Sequence, residues 1–298
     1  MMLQGKNVLL WLKLFGILLF VWILWHIDRV QLLQAVRGTD LPLAALSFLV
    51  LLVSYLARTW RWHALVRAGG MVTQPRESWR VFNLGVFLGA ITPGNVGELG
   101  RGAYLYRGGM HGGASAAIPV LDRLADFILL LFVSLWGIGE LYGNTALAPF
   151  LIALLLFMVV FTVLWKLSAP LRQVLPRPAL LAQLLTKRTM AAITAATLLS
   201  WILYIAWTLL LARALGIAAP AAALVAALVL ARIASMLPVA PAGLGTRDAV
   251  LVVLLAPYGV AAPQAVALGF LLFLFILASS SIGFFYWIRD RRAIHSPR

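Results

Sequence analysis

The chain has 298 residues, 63% of them hydrophobic and only 11% charged, with a formal net charge of +15. A soluble domain carries roughly 25% charged residues, so this composition excludes one and points to an integral membrane protein. There is no cysteine, which also excludes disulfides, thiolate catalysis and cysteine metal sites.

In chain order, apolar stretches long enough to cross a bilayer are expected at 8–25, 41–60, 117–140, 149–167, 190–212 and 263–288. The first holds one lysine, Lys13, and no small-residue cleavage site follows it, the pattern of a retained first helix. Two segments are different. Residues 82–91 are apolar but too short to span; the break Thr92-Pro-Gly-Asn95 follows, and then 96–106. Residues 221–237 are followed by Pro238-Val-Ala-Pro-Ala-Gly243 and then 244–257. Each reads as a re-entrant hairpin of two half-helices, since irregular backbone inside a membrane must be sheltered by protein or line a wet cavity. The alternative is a Pro/Gly kink in an ordinary span.

The two breaks echo each other. Superposing Pro93 on Pro241 also superposes Gly97 on Gly245, an offset of 148, and Tyr55-Leu-Ala-Arg-Thr59 echoes Tyr204-Ile-Ala-Trp-Thr208 at 149. The chain reads as one membrane domain, 1–298, made of repeat 1 (about 1–142), repeat 2 (about 149–288) and a basic cytoplasmic tail, 289–298. Charge supports this topology. Loop 61–81 holds Arg61, Arg67, Arg76 and Arg80, segment 168–189 holds Arg172, Arg177, Lys187 and Arg188, and the tail is basic. Loop 141–148, on the opposite side, has no Lys or Arg, in line with the positive-inside rule. Both termini are then cytoplasmic in a cell inner membrane. Three spans and one hairpin per half invert the second half relative to the first. The expected fold is an all-α polytopic membrane protein of about six transmembrane helices and two re-entrant helical hairpins in an inverted repeat.

Charges inside apolar sequence mark candidate sites, because one near the bilayer centre costs about 3 kcal/mol unless paired. At the first tip, Pro93 ends a half-helix, Gly94 and Gly97 allow close approach, and Asn95 or Thr92 could cap the next half-helix, whose N-terminus would favour an anion. Glu98 and Arg101 are three apart and share a helix face. The second tip has Pro238, Pro241, Gly243 and Gly245, followed by Arg247 and Asp248. Arg232 precedes it and either lines a polar path or snorkels to the interface. Asp122, Arg123 and Asp126 open the span at 117: Arg123 could pair with Asp126, and the cluster is either an interfacial ion pair or the counter-charge for Arg101 or Arg247. Arg58, Trp60, Arg61, Trp62 and His63 read as an interfacial belt, or as cations gathering headgroups. The histidines at 26, 63, 111 and 295 are scattered, so no metal or cofactor is expected. Nor is a nucleic-acid partner, since the basic residues lie in loops and no binding module is visible.

Together, Arg58-Thr-Trp-Arg61, Thr92-Pro-Gly-Asn-Val-Gly-Glu98 with Arg101, Asp122-Arg123 and the run from Leu237 to Asp248 resemble a known family. It is the membrane region of lysylphosphatidylglycerol synthase/flippases and their stand-alone relatives, with the likeness running from about residue 40 to 288. The family's last motif usually ends in glutamate, where this chain has Asp248. The resemblance implies lipid translocation between leaflets, with membrane lipids bearing phosphate headgroups as partners and a homo-oligomer or lipid-synthesis partner as further expectations. Lysyl-transferring relatives carry a soluble domain after the membrane part, so this chain is not expected to synthesise aminoacylated lipid by itself; the expectation is a transporter and not an enzyme. A lipid-modifying membrane enzyme using Asp122 and Asp126, an accessory scaffold for envelope lipid synthesis and a transporter of small polar solutes are the alternatives.

Overall fold

Asp40 and Thr186 each begin a helix of the same length, and this pairing organises the whole molecule. Asp40 Oδ1 accepts the Leu43 N–H at 2.9 Å, with Pro42 in the first turn, and Thr186 Oγ1 accepts the Thr189 N–H at 3.3 Å. Both caps satisfy backbone donors that a helix start leaves free. The computed structural model describes residues 25, 29–92, 95–110, 112–143, 184, 186–236, 243 and 245–295. Nine α-helices occur among them: α1 (Arg29–Arg37), α2 (Leu41–Ala68), α3 (Pro75–Ala90), α4 (Arg101–Arg107), α5 (Gly112–Tyr142), α6 (Lys187–Ala214), α7 (Ala221–Ser235), α8 (Thr246–Leu255) and α9 (Ala262–His295). A 3₁₀ turn, Val96–Gly100, leads into α4, and another, Ala256–Tyr258, follows α8. The described residues include no strand.

The described part of the protein is therefore all-helical. Within it, α2, α6 and Ala262–Arg289 of α9 are long and apolar enough to cross a membrane. The expected spans 149–167 and, Trp25 apart, 8–25 lie outside the described residues. Helices run beyond their expected bounds at several ends. α2 continues to Ala68, eight residues past 60, and α5 begins at Gly112 instead of 117. For α2 the physical reason is that Arg61, just past the expected end, is buried against two carboxylates and so does not mark the edge of the apolar region.

From α2 onward the order long helix, half-length helix, break, short helix, long helix occurs twice. α2 and α6 both have 28 residues and start 146 apart, as do α3 and α7. The Tyr55/Tyr204 echo at 149 is displaced from this register by three residues, close to one helical turn. The most extensive helix–helix contact joins α2 to α6. They run antiparallel: Asp40 N–H donates to Ala214 O at 2.8 Å, Ser47 Oγ to Trp207 O at 2.9 Å, and Arg61 Nη1 to Thr197 Oγ1 at 3.0 Å. The next two contacts are α3 with α9 and α5 with α7, so each break-bearing segment lies on the closing helix of the other half. Glycines permit both. A β-carbon on Gly283 of α9 would drive into the Asn83 carbonyl of α3, and one on Gly137 of α5 would lie 3.1 Å from Ala226 of α7. These glycines are also 146 apart.

The helices flanking each break touch each other. α7 packs on α8, and α3 packs on the 3₁₀ turn at 96–100. The turn approaches closely because a β-carbon on Gly97 would collide with the Leu88 carbonyl. Thr92 Oγ1 bridges the bend, donating to Leu88 O at 2.7 Å and accepting from Gly97 N–H at 2.8 Å.

Candidate functional site

A buried network of charge joins α2, the first break and α5. Arg58 and Arg61 are three apart on α2, and Asp122 and Asp126 four apart on α5, spacings that place each pair on one helix face. Arg61 Nε donates to Asp122 Oδ1 at 2.7 Å, while its Nη1 and Nη2 hold Asp126 Oδ1 and Oδ2 at 2.7 and 2.9 Å. The second Asp122 oxygen accepts Arg101 Nη2 at 2.9 Å. Arg101 also reaches Glu98 Oε2 at 3.4 Å, and its guanidinium lies 4.4 Å over the Trp62 ring. Arg123 Nη2 then grips the break itself, at 2.8 Å from Glu98 Oε1 and 3.1 Å from Asn95 O.

Several sequence expectations change here. The Arg61 side chain is 0% exposed and Asp122 1%, so neither is an interfacial residue. Trp62 is equally buried. Arg61 faces the interior because its side chain meets two carboxylates in a space that excludes lipid; Trp60 alone of the Arg58–His63 group is exposed. Arg123 pairs with Glu98, not Asp126, since Asp126 is already occupied on both oxygens by Arg61. The shared face of Glu98 and Arg101 and the role of Asp122 as counter-charge for Arg101 agree with the structure.

Two glycines make room for this network. A β-carbon on Gly85 would strike the Arg101 side chain, and one on Gly89 would come 2.7 Å from Glu98 Cγ. They lie four apart on α3, facing the break. A third, Gly102, lies against the Ser115 carbonyl, whose helical donor is missing because Pro119 has no N–H. None of the three stood out in the sequence, although the spacing of Gly85 and Gly89 in a short helix was visible there.

Beside the network lies a cavity of about 80 Å³, enough for a few waters at roughly 10–15 Å³ each. Both halves line it. Arg58, Asn95, Glu98 and Asp126 face it from the first, and Ser200, Tyr204 and Arg232 from the second. Ser54 and Ser200, 146 apart, occupy matching places in its wall, and Tyr55 and Tyr204 both line it. Arg58 is loosely held, 3.5 Å from Asp126 Oδ2 and 3.8 Å from Glu98 Oε2. Arg232 lies 4.8 Å over the Tyr204 ring, a cation–π contact, and makes no ion pair with a carboxylate among the described residues.

At the second break the wiring differs. Arg247 Nη2 donates to Gly269 O of α9 at 2.6 Å, and Asp248 Oδ2 accepts the Gly245 N–H at 2.7 Å. Both are buried, and neither lines the cavity nor joins the charge network. Asp248 is thus the cap of its own helix, reaching back three residues. Asn95, not Thr92, occupies the capping position of the 96–100 turn, in a left-handed conformation at φ 56°, but its side chain makes no capping bond. Thr92 supplies that bond. Gly243 and Gly245 have φ of 74° and 83°, which the bend needs and side chains resist. Pro93, Gly94, Pro238 and Pro241 lie outside the described residues. No group of three or more His, Cys, Asp or Glu that could hold a metal occurs among the described residues.

An all-α integral membrane protein with charge buried at a helix break is the class these features define. The chain belongs to the family described as the lysylphosphatidylglycerol synthase TM region, whose model matches residues 9–295. That region is a lipid-related membrane domain, in agreement with the resemblance carried by the motifs. Neither a curated protein nor a solved structure matches the chain.

Proposed function

We propose that the protein moves a phospholipid or related lipid between the leaflets of a cell inner membrane, as a flippase or scramblase-like transporter. The observation that carries this reading is the polar cavity at the junction of the two halves, walled by a helix break and by two otherwise apolar helices. A headgroup would enter it while the acyl chains stay in lipid. Arg58 and Arg232 are the side chains free to meet it, and Arg61, Arg101 and Arg123 hold the carboxylates and the break in place. The antiparallel packing of α2 on α6 and the exchange of break-bearing segments between halves support an inverted repeat of about six spans and two re-entrant hairpins. In that arrangement the two breaks open toward opposite faces, and the cytoplasmic termini follow from the basic loops. The guanidiniums within 3 Å of Asp122 and Asp126 favour transport over carboxylate catalysis, because neither acid is free to exchange a proton.

Leaflet exchange of fluorescent phospholipids in liposomes containing the purified protein tests this. Rapid exchange by the wild-type protein, slowed about tenfold by Arg232→Gln, is the expected outcome. Exchange no faster than in empty liposomes, with every lipid tried including aminoacylated and isoprenoid ones, would contradict it.

A further inference from the structure

We infer that the cavity selects a headgroup carrying a net negative charge and no cationic substituent, such as an unmodified monoanionic phosphodiester. This deepens the transport reading and rests on it. The argument is one of charge balance. Five guanidiniums, of Arg58, Arg61, Arg101, Arg123 and Arg232, stand in or beside the cavity against three carboxylates, of Glu98, Asp122 and Asp126. No other acidic side chain among the described residues makes up the deficit: Asp40 and Asp248 cap helices, Glu77 pairs with Arg80, and Glu140 is exposed.

The excess is also placed where a ligand can use it. The three arginines that do not line the cavity each hold a carboxylate at 2.9 Å or less. The two that do line it, Arg58 and Arg232, have at best a contact of 3.5 Å and a ring face. A phosphate in the cavity would gain charge-assisted hydrogen bonds from these guanidiniums. An ammonium group would meet the opposite situation. The carboxylates it needs, Glu98 and Asp126, are each already held by an arginine, at 2.8 and 2.7 Å, and the nearest free charges would repel it. An aminoacylated lipid is therefore the poorer ligand, and a zwitterionic one lies between.

Binding, measured apart from transport, tests this. Detergent-solubilised full-length protein would be titrated with fluorescent phosphatidylglycerol, with competition by unlabelled phosphatidylglycerol, phosphatidylcholine, lysyl-phosphatidylglycerol and inorganic phosphate. Phosphatidylglycerol should compete at least about tenfold better than the choline lipid, and the lysyl lipid worst, the size expected when a charged hydrogen-bond partner is matched or not. Arg58→Gln and Arg232→Gln should each remove most of that preference. Arg58→Lys, which keeps the charge, should retain part of it. Among the described residues Arg232 has no ion pair to lose, so its variant keeps the test informative even if Arg58→Gln unfolds. Equal affinities, a preference for the lysyl lipid, or a preference that survives Arg232→Gln would overturn the inference. Competition by inorganic phosphate as strong as by the lipid would overturn the lipid assignment. Selective binding without leaflet exchange would sink the transport reading alone, whereas exchange without charge selection would sink this one alone.

Discussion

The two helix breaks share a sequence plan and solve it differently. In the first, Glu98 and Arg101 are bound to side chains of α2 and α5, so the break is fastened to the core by ion pairs. In the second, Arg247 Nη2 and Asp248 Oδ2 bond backbone atoms of Gly269 and Gly245, while Arg247 Nε and Asp248 Oδ1 are buried with no hydrogen-bond partner among the described residues. The first acid–arginine motif is thus tied to side chains of other helices, while in the second the acid caps its own helix and the arginine reaches a backbone carbonyl of α9. The difference teaches that similar charges at two breaks need not do equal work. The cavity draws its anionic lining, Glu98 and Asp126, from the first half alone, while the second contributes Arg232 and the aromatic wall.

The largest effect should come from cutting the wired network. Arg61→Ala would leave Asp122 with Arg101 alone and Asp126 with only the 3.5 Å contact of Arg58, a loss of about 3–5 kcal/mol in stability. Thermal unfolding in detergent should show it as the steepest drop of any single change at either break. A value equal to that of the corresponding change at the second break would erase the distinction between the two.

An intermediate effect is expected where the halves exchange contacts. Gly283→Val and Gly137→Val both force a β-carbon into the opposing helix, at about 1–3 kcal/mol each. Comparable losses would sharpen the repeat relationship. The collision is harder at Gly283, with a carbonyl, than at Gly137, with an alanine, so Gly283→Val should be the worse of the two. The smallest of these effects belongs to the second break. Asp248→Ala removes a cap and should cost about 1–2 kcal/mol by the same assay.

Much of this was legible in the sequence, for reasons that can be named. Apolar run lengths and Pro/Gly interruptions placed the α2, α6 and α9 spans and both breaks, because helix length and backbone satisfaction in lipid are local constraints. The Glu98–Arg101 pair was legible from its spacing. Arg61 was not: flanked by Trp60 and Trp62 it has the look of an interface, and only the arrival of α5, sixty residues on, shows that it is buried. The partner of Arg123 was hidden for a related reason, since spacing on one helix cannot reveal that Asp126 is claimed from another. Asp248 as a cap was within reach of a three-residue pattern, Gly245 to Asp248, but a charged motif next to an arginine invited a binding role first. The paired glycines at 137 and 283 were visible as residues and not as a pair until the helix starts fixed the 146 offset.

The most direct test of the cavity as the lipid path uses a chain with no cysteine of its own. Ala90 lines the cavity at the end of α3, is partly exposed, and differs from cysteine by one atom. Ala90→Cys would be treated in proteoliposomes with an anionic, membrane-impermeant thiol reagent, and leaflet exchange measured before and after. The account predicts that labelling stops exchange and that phosphatidylglycerol slows the labelling. Complete labelling that leaves exchange unchanged would place the path elsewhere in the protein.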